Sequence, residues 1–320
     1  MKVLSPPTEE LARNLLSKYP FKGYQFRLLG LHSENVVDHH LSRLMASSTT
    51  AGAIQDGDRS ALLSLTENKY LSHHLERRAS RLENFLRSDY EDPEPCRAMV
   101  GHFLTLPEAD GFCEAWLPLD DIIGVGALLA GGFYQVGVEI RLARRLGPDF
   151  NPEYPEGLDL RTYEPADEQH LKDLCADFHE KNRFAFDPRL ESSVRKRIYV
   201  EELSSLLKSP NIRCTTYWED GKLVGFNTGK INRQLTERTG QGYGSLDLIV
   251  LHPEARRKGA GVGLSLAALE WLRDQKIEYV ACRTMVSNYP ATALLQTLGF
   301  RIVFAKVILH RWGNPNADAR

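Results

Sequence analysis

Two stretches of this 320-residue chain spell nearly the same pattern. "ALLAGGFYQVGVEIRLARR" (Ala127 to Arg145) and "ALLQTLGFRIVFAKVILHR" (Ala293 to Arg311) each read as a short apolar helix, a glycine stop and an alternating strand. Aligned on the Gly-Phe pair, Phe133 falls on Phe300, an offset of 300 − 133 = 167. Val136 then meets Val303, Ile140 meets Val307, Leu142 meets Leu309 and Arg144 meets Arg311. Upstream, "AGAIQDGDRSALLSL" and "CTTYWEDGKLVGFNT" are both strand, Asp-Gly turn, strand, with Asp56 and Asp220 offset by 220 − 56 = 164. Between them, "FCEAWLPLDD" lies over "YVACRTMVSN", again at 167 from Phe112 to Tyr279. Three matches at nearly one spacing, in one order, describe two copies of one fold.

The segment "RRLGPDFNPEYPEGLDL" (Arg144 to Leu160) holds three prolines and two glycines without periodicity, so the boundary belongs there. We divide the chain into a first domain at 1–147, a linker at 148–157 and a second domain at 158–320. The second copy reads as strand, helix (Leu171, Leu174 and Phe178 on one face), helix, the Asp220-Gly221 hairpin, and the buried strand "GYGSLDLIVLHP". A helix with Val262, Leu266, Leu269 and Leu272 on one face follows, then strand, helix, strand. The fold class is α+β: a mixed sheet flanked by helices, present twice.

Several function classes fall away. A net charge of −2 gives no global pull toward nucleic acid or an anionic membrane, so any anion site must be local. Glu9 and Glu10 interrupt the N-terminus before an apolar stretch forms, unlike a signal peptide. The longest uncharged run, Ile122 to Val138, has 17 residues and five glycines and spans a bilayer poorly. Cys96, Cys113, Cys175, Cys214 and Cys282 are scattered, with no CxxC spacing; zinc and a disulfide framework are not expected, and a reducing cytoplasm is. No metal site is expected.

The local anion site is "PEARRKGAGVGL", where Arg256, Arg257 and Lys258 precede Gly259, Ala260, Gly261, Val262 and Gly263 between a strand and a helix. The glycines let backbone approach a ligand, and the unpartnered N–H groups and dipole of a helix N-terminus favour a phosphate or pyrophosphate. A solvated basic turn is the bland alternative. A Walker loop fails because no Lys follows the last Gly, and a dinucleotide fingerprint fails because the loop follows a meander.

These residues resemble the acyl-CoA pyrophosphate loop of the GNAT superfamily of N-acyltransferases, [R/Q]-x-x-G-x-[G/A], here Arg256 to Gly261. "SNYPATALLQTLGF" is similar to the family's N-x-x-A…G-F ending through Asn288, Ala291, Gly299 and Phe300. The resemblance covers about residues 158–311. Within the superfamily it is nearest to the dTDP-fucosamine (amino-sugar) acetyltransferase type, through "HEKNRFAFDPRL"; tandem mycothiol synthases have the same layout. The resemblance implies acyl transfer from acetyl-CoA or another acyl-CoA to a small-molecule amine, with the pantetheine arm along Ile249, Val250 and Leu251 and against Asn288.

Alternation along "SLDLIVL" puts Asp247 on the strand face of Ile249 and Leu251, as general base or as a strand-end carboxylate satisfied by a neighbour. His179 and Glu180 are weaker candidates. The family's usual acid, a Tyr seven residues after the Asn, is Leu295 here; Tyr289 and Tyr243 are the nearby phenols, and Tyr289 is our candidate. Arg183 and Asp187 either line the acceptor site or form a capping ion pair. The first copy lacks the loop: at 259 − 167 = 92 it reads "SDYEDPEPC", and Asp121 stands where Asn288 stands, so no acyl-CoA is expected there. Its role is to wall the acceptor pocket or simply to pack. Other readings are acylation of a peptide amine, decarboxylation of the acyl-CoA itself, and a non-catalytic acyl-CoA sensor. Neither nucleic acid nor membrane is expected as a partner, and a homodimer is left open.

Overall fold

The computed structural model describes residues 2–4, 7–22, 33–46, 50–177, 183–256 and 259–313. Phe178, His179, Glu180, Arg257 and Lys258 lie outside the described residues. The chain forms two compact units, one built on Leu31–Glu139 with Met1–Arg27 and Phe304–Arg320, the other on Ile140–Val303.

In unit 1 the elements run β1 (Lys2–Leu4), α1 (Glu9–Lys18), α2 (Ser33–Ala46), β2 (Thr50–Asp56), β3 (Arg59–Glu67), α3 (Lys69–Leu75) and β4 (Ala79–Arg87). Then come α4 (Glu94–Phe103), β5 (Phe112–Pro118), α5 (Ile122–Ala130) and β6 (Tyr134–Arg145). Strands β1 to β4 pair antiparallel and β4 pairs β5 in parallel. Helix α1 packs Ala12, Leu15 and Leu16 on one face with Leu62 and Leu86. On the other, Cys96, Met99 and Phe103 of α4 meet Leu63, Leu82 and Ala115.

Unit 2 repeats this: β7 (Asp159–Thr162), α6 (Glu168–Asp177), α7 (Ser192–Leu207), β8 (Ile212–Glu219), β9 (Lys222–Ile231), α8 (Arg233–Thr239), β10 (Tyr243–Leu251), α9 (Ala260–Asp274), β11 (Tyr279–Met285), α10 (Tyr289–Thr297) and β12 (Arg301–Trp312). The β8–β9 turn holds Asp220 and Gly221 at φ 48° and 75°, the type I′ signature that Asp-Gly suggests. Leu171, Leu174 and Leu203 of α6 and α7 cover Phe226, Leu248 and Val250, and Ala268 and Trp271 of α9 close on Gly229 from the opposite face.

The repeat extends to elements that sequence reading missed. The seven-residue helices α3 and α8 are both capped by Asn, with Asn68 accepting from Leu71 N–H and Asn232 from Leu235 N–H, each at 3.0 Å. Both end in a left-handed residue, Glu76 and Gly240.

The copies trade their final strands. β5 pairs antiparallel with β12, from Lys306↔Pro118 to Trp312↔Phe112, whereas β6 borders β11. The second half of β6 belongs to unit 2, where Leu146 N–H donates to the Glu278 carbonyl at 2.7 Å. A fragment carrying residues 148–320 therefore lacks a strand of its own unit and holds half of another without its partners. It is expected to aggregate when expressed alone, through open edges, while a fragment starting at Val136 stays monomeric to a greater extent. Size-exclusion chromatography of the two fragments checks this.

Among the described residues no helix is long and apolar enough to cross a membrane, and no group of His, Cys, Asp or Glu is placed to hold a metal. All five cysteines are buried; burial pushes the Cys113, Cys175 and Cys214 thiols up to about 12 and Cys96 to about 11, so these four stay protonated at neutral pH.

Candidate functional site

The site begins with a fault in β10. Its register with β9 runs Leu246↔Gly229 and then Ile249↔Asn227, so Asp247 and Leu248 together oppose the single residue Thr228. This is a β-bulge. The Leu248 N–H donates to Thr228 Oγ1 at 2.9 Å instead of to a strand carbonyl. On the other edge, β10 pairs β11 in parallel only from Tyr243↔Tyr279 to Leu246↔Cys282. Beyond that pair the two strands part, and the β11 side of residues 247–251 is open backbone.

The bulge corrects the alternation argument. Ile249 faces α9, because its partner Asn227 reaches Ser265 Oγ at 3.3 Å, and Leu251 packs with the α9 cluster. Asp247 instead accepts from Ser245 Oγ at 2.7 Å and shares the opposite face with Ser245 and Tyr243. Asp247 and the backbone of Ile249, Val250 and Leu251 thus meet at one opening while their side chains separate, Val250 being buried toward α6 and α7.

The strand leads directly into the basic glycine loop. Arg256 folds back so that Nε and Nη2 each donate to the Leu251 carbonyl at 3.3 Å. Gly259 is the N-cap of α9 at φ 78°, in the left-handed region; a Cβ there would lie 2.8 Å from Pro155. Having no side chain, Gly259 caps none of the first-turn N–H groups, at Ala260, Gly261 and Val262. Gly261 fits between Leu251 and Leu294, and a Cβ on Gly263 would strike Leu158 at 2.3 Å. The glycines therefore let the start of α9 close on Leu251 of β10 and on Pro155 and Leu158, while its N–H groups stay uncapped.

Asn288 is the N-cap of α10 and donates from Nδ2 to Thr284 Oγ1 at 3.1 Å. Tyr289, one residue on, is 75% exposed, whereas Leu295 is fully buried. Tyr243 is buried, and desolvation raises its phenol above the ordinary range. Arg183 opens a short 3-10 turn, and the buried Asp187 accepts the Arg189 N–H at 2.9 Å within the same loop.

Unit 1 carries the same frame with opposite chemistry. β4 has its extra residue at Glu83, between Leu65↔Leu82 and Ser64↔Asn84, and its parallel pairing with β5 also stops after four residues, at Leu82↔Ala115. The offset is 164 as far as Leu82 and Leu246 and 167 from Ala115 and Cys282, so the three extra residues of unit 2 lie between β10 and β11, where the loop and the longer α9 are. In unit 1 that connection is acidic: Asp89 accepts the Glu91 N–H at 2.8 Å and Asp92 the Glu94 N–H at 3.0 Å. Arg87, in place of Leu251, and Asp121, in place of Asn288, form a bidentate ion pair with both side chains 1% exposed. Tyr90 stacks under the guanidinium at 4.1 Å. A salt bridge thus fills the position that is open in unit 2.

A profile of the Acetyltransferase (GNAT) family matches residues 171–300. The match lies wholly within unit 2. The chain is 31% identical over 153 residues to a mycothiol acetyltransferase of Thermobispora bispora, covering 47% of this chain and 48% of that one. It is 29% identical over 197 residues to the mycothiol acetyltransferase of Acidothermus cellulolyticus, 58% of each. The chain thus matches about half the length of these curated relatives. A GCN5-related N-acetyltransferase structure from Sphaerobacter thermophilus superposes at TM-score 0.63 with 14% identity, over 97% of this chain and 96% of that one, so the likeness of fold runs beyond the stretch that the family profile matches and into unit 1.

Proposed function

We propose that the chain is an acyl-CoA-dependent N-acyltransferase with one acyl-CoA site, in unit 2, and a small-molecule amine as acceptor. The observation that carries this is the continuity of two features: β10 and β11 part after Leu246↔Cys282, and the freed strand runs straight into the uncapped N-terminus of α9. An extended arm bearing amides fits the first, and a pyrophosphate fits the second.

Bound acyl-CoA would supply a thioester whose acyl carbon passes to the amine nitrogen, the C–S bond breaking as the C–N bond forms. Asp247 takes a proton from the attacking amine, directly or through water. An N–H of β10 beyond the bulge faces the carbonyl oxygen as it gains charge. Arg256, Arg257 and Lys258 with the N–H groups of Ala260, Gly261 and Val262 hold the pyrophosphate, and Asn288 meets the arm. Leu295 cannot protonate the departing sulfur, and the exposed Tyr289 is the nearest phenol on that helix; a thiol with an ordinary pKa of about 8.5 also takes a proton from water. Acetyl is the expected acyl group. The relatives' names favour a mycothiol-type amine, and the loop at Arg183 and Asp187 an amino-sugar nucleotide.

Buried Leu295 in the acid's usual place favours a second reading, an acyl-CoA sensor. One experiment separates them: native mass spectrometry with a panel of acyl-CoAs and amines, followed by free-thiol release. We expect one CoA bound per chain and thiol release only when an amine is present. CoA bound without release in any mixture supports the sensor; two CoA molecules per chain would contradict the closed frame of unit 1.

A further inference from the structure

On the reading that the acceptor approaches Asp247, the face it approaches on is basic. Ser245, which hydrogen-bonds Asp247, pairs in register with Lys230 of β9, so Lys230 projects beside it. On the other side, Asp247 and Arg283 are the first residues of β10 and β11 past their last pair, Leu246↔Cys282, and project on the same face as Ser245 and its partner Ala281. Arg283 is exposed. The third cation comes from β6, the strand unit 2 takes from the first copy. Arg145 stacks on the Tyr279 ring at 5.2 Å, which fixes that side of β6 on the same face. Arg141, two pleats along, lies close enough to Tyr243 to act on it electrostatically, as do Arg283 and Asp247. Lys230, Arg283 and Arg141 thus stand across β9, β11 and β6, with Asp247 among them on β10.

We propose that this face selects an anionic amine: the amino nitrogen is presented at Asp247 while a carboxylate or phosphate on the same molecule is held by Arg283, with Lys230 and Arg141 setting the field. A neutral or purely cationic amine brings nothing to offset three cations, and an ammonium alone is repelled by them. Arg283 suits the role because its planar guanidinium grips either anion through two parallel N–H donors.

The test measures thiol release with acyl-CoA saturating and acceptors in matched pairs: an amino acid against its carboxamide, and an amino-sugar phosphate against the unphosphorylated amino sugar. The anionic member of at least one pair is expected to be used with at least tenfold higher kcat/KM, and the pair that responds identifies carboxylate or phosphate. Arg283→Gln is expected to lower that kcat/KM about ten- to hundredfold through KM, the loss of charged hydrogen bonds, with Arg283→Lys recovering part of it. Equal use of both members of both pairs would overturn the charge assignment and leave acyl transfer standing. Thiol release from no amine, with CoA bound, would overturn both. An anionic preference that Arg283→Gln leaves intact would overturn the assignment to this face.

Discussion

Asp247→Ala is expected to slow amine-dependent thiol release by about 10²–10⁴-fold, the contribution of a placed general base, while acyl-CoA affinity changes by less than about twofold. The split follows from where the two functions reside. In the proposed complex CoA would be held by backbone of β10 and by the start of α9, neither of which depends on the Asp247 side chain, whose direct partner is Ser245. The bulge makes Asp247 the one carboxylate that β10 brings to the opening. Asp247→Asn should resemble Ala in rate, since it keeps the shape and removes the base. Single-turnover thiol release paired with calorimetry of CoA binding measures both halves. Undiminished turnover would remove Asp247 from the chemistry, and a parallel loss of CoA binding would make it a structural residue of the bulge.

Asp121→Asn is expected to destabilise the chain by about 3–5 kcal/mol, the cost of leaving one charge of a buried pair unmatched. The amide preserves the cap that Asp121 gives Gly124 N–H at 3.0 Å, so the loss reports the Arg87 charge and not the start of α5. Combining it with Arg87→Met should restore most of the lost stability, because the desolvated charge is then gone as well. Urea titration of the full chain followed by tryptophan fluorescence reads the midpoints. A loss below about 1 kcal/mol would mean that the pair is solvated in solution, and a double variant as weak as the single would show that the pair's shape matters more than its charge.

How much of this was legible in sequence depends on how local each signal is. The duplication could be read because repeated apolar helices, glycine stops and Asp-Gly turns keep their spacing. The basic glycine loop was equally visible, being contiguous. The bulge is not: "SLDLIVL" reads as unbroken alternation, which places Asp247 on the face of Ile249 and Leu251, and one extra residue shows only against the partner strand. The Arg87–Asp121 pair joins residues 34 positions apart; Asp121 stood out by its place in the repeat, while Arg87 carried no local mark. Helices of seven residues such as α3 and α8 fall below what periodicity reveals.

The exchange of β6 and β12 escaped notice for a different reason. The two strands are the very pair that discloses the repeat, and sequences this alike do not mark which sheet each completes. That likeness also constrains how the protein is made. The pairing partner of β5 is residues 306–312, translated after all of unit 2. The ribosome therefore releases the first copy with its sheet unfinished, and for the time taken to synthesise roughly 170 more residues β5 offers an open edge to the similar β6, which emerges first. Correct assembly requires that this early, local pairing stay weaker or shorter-lived than the late one.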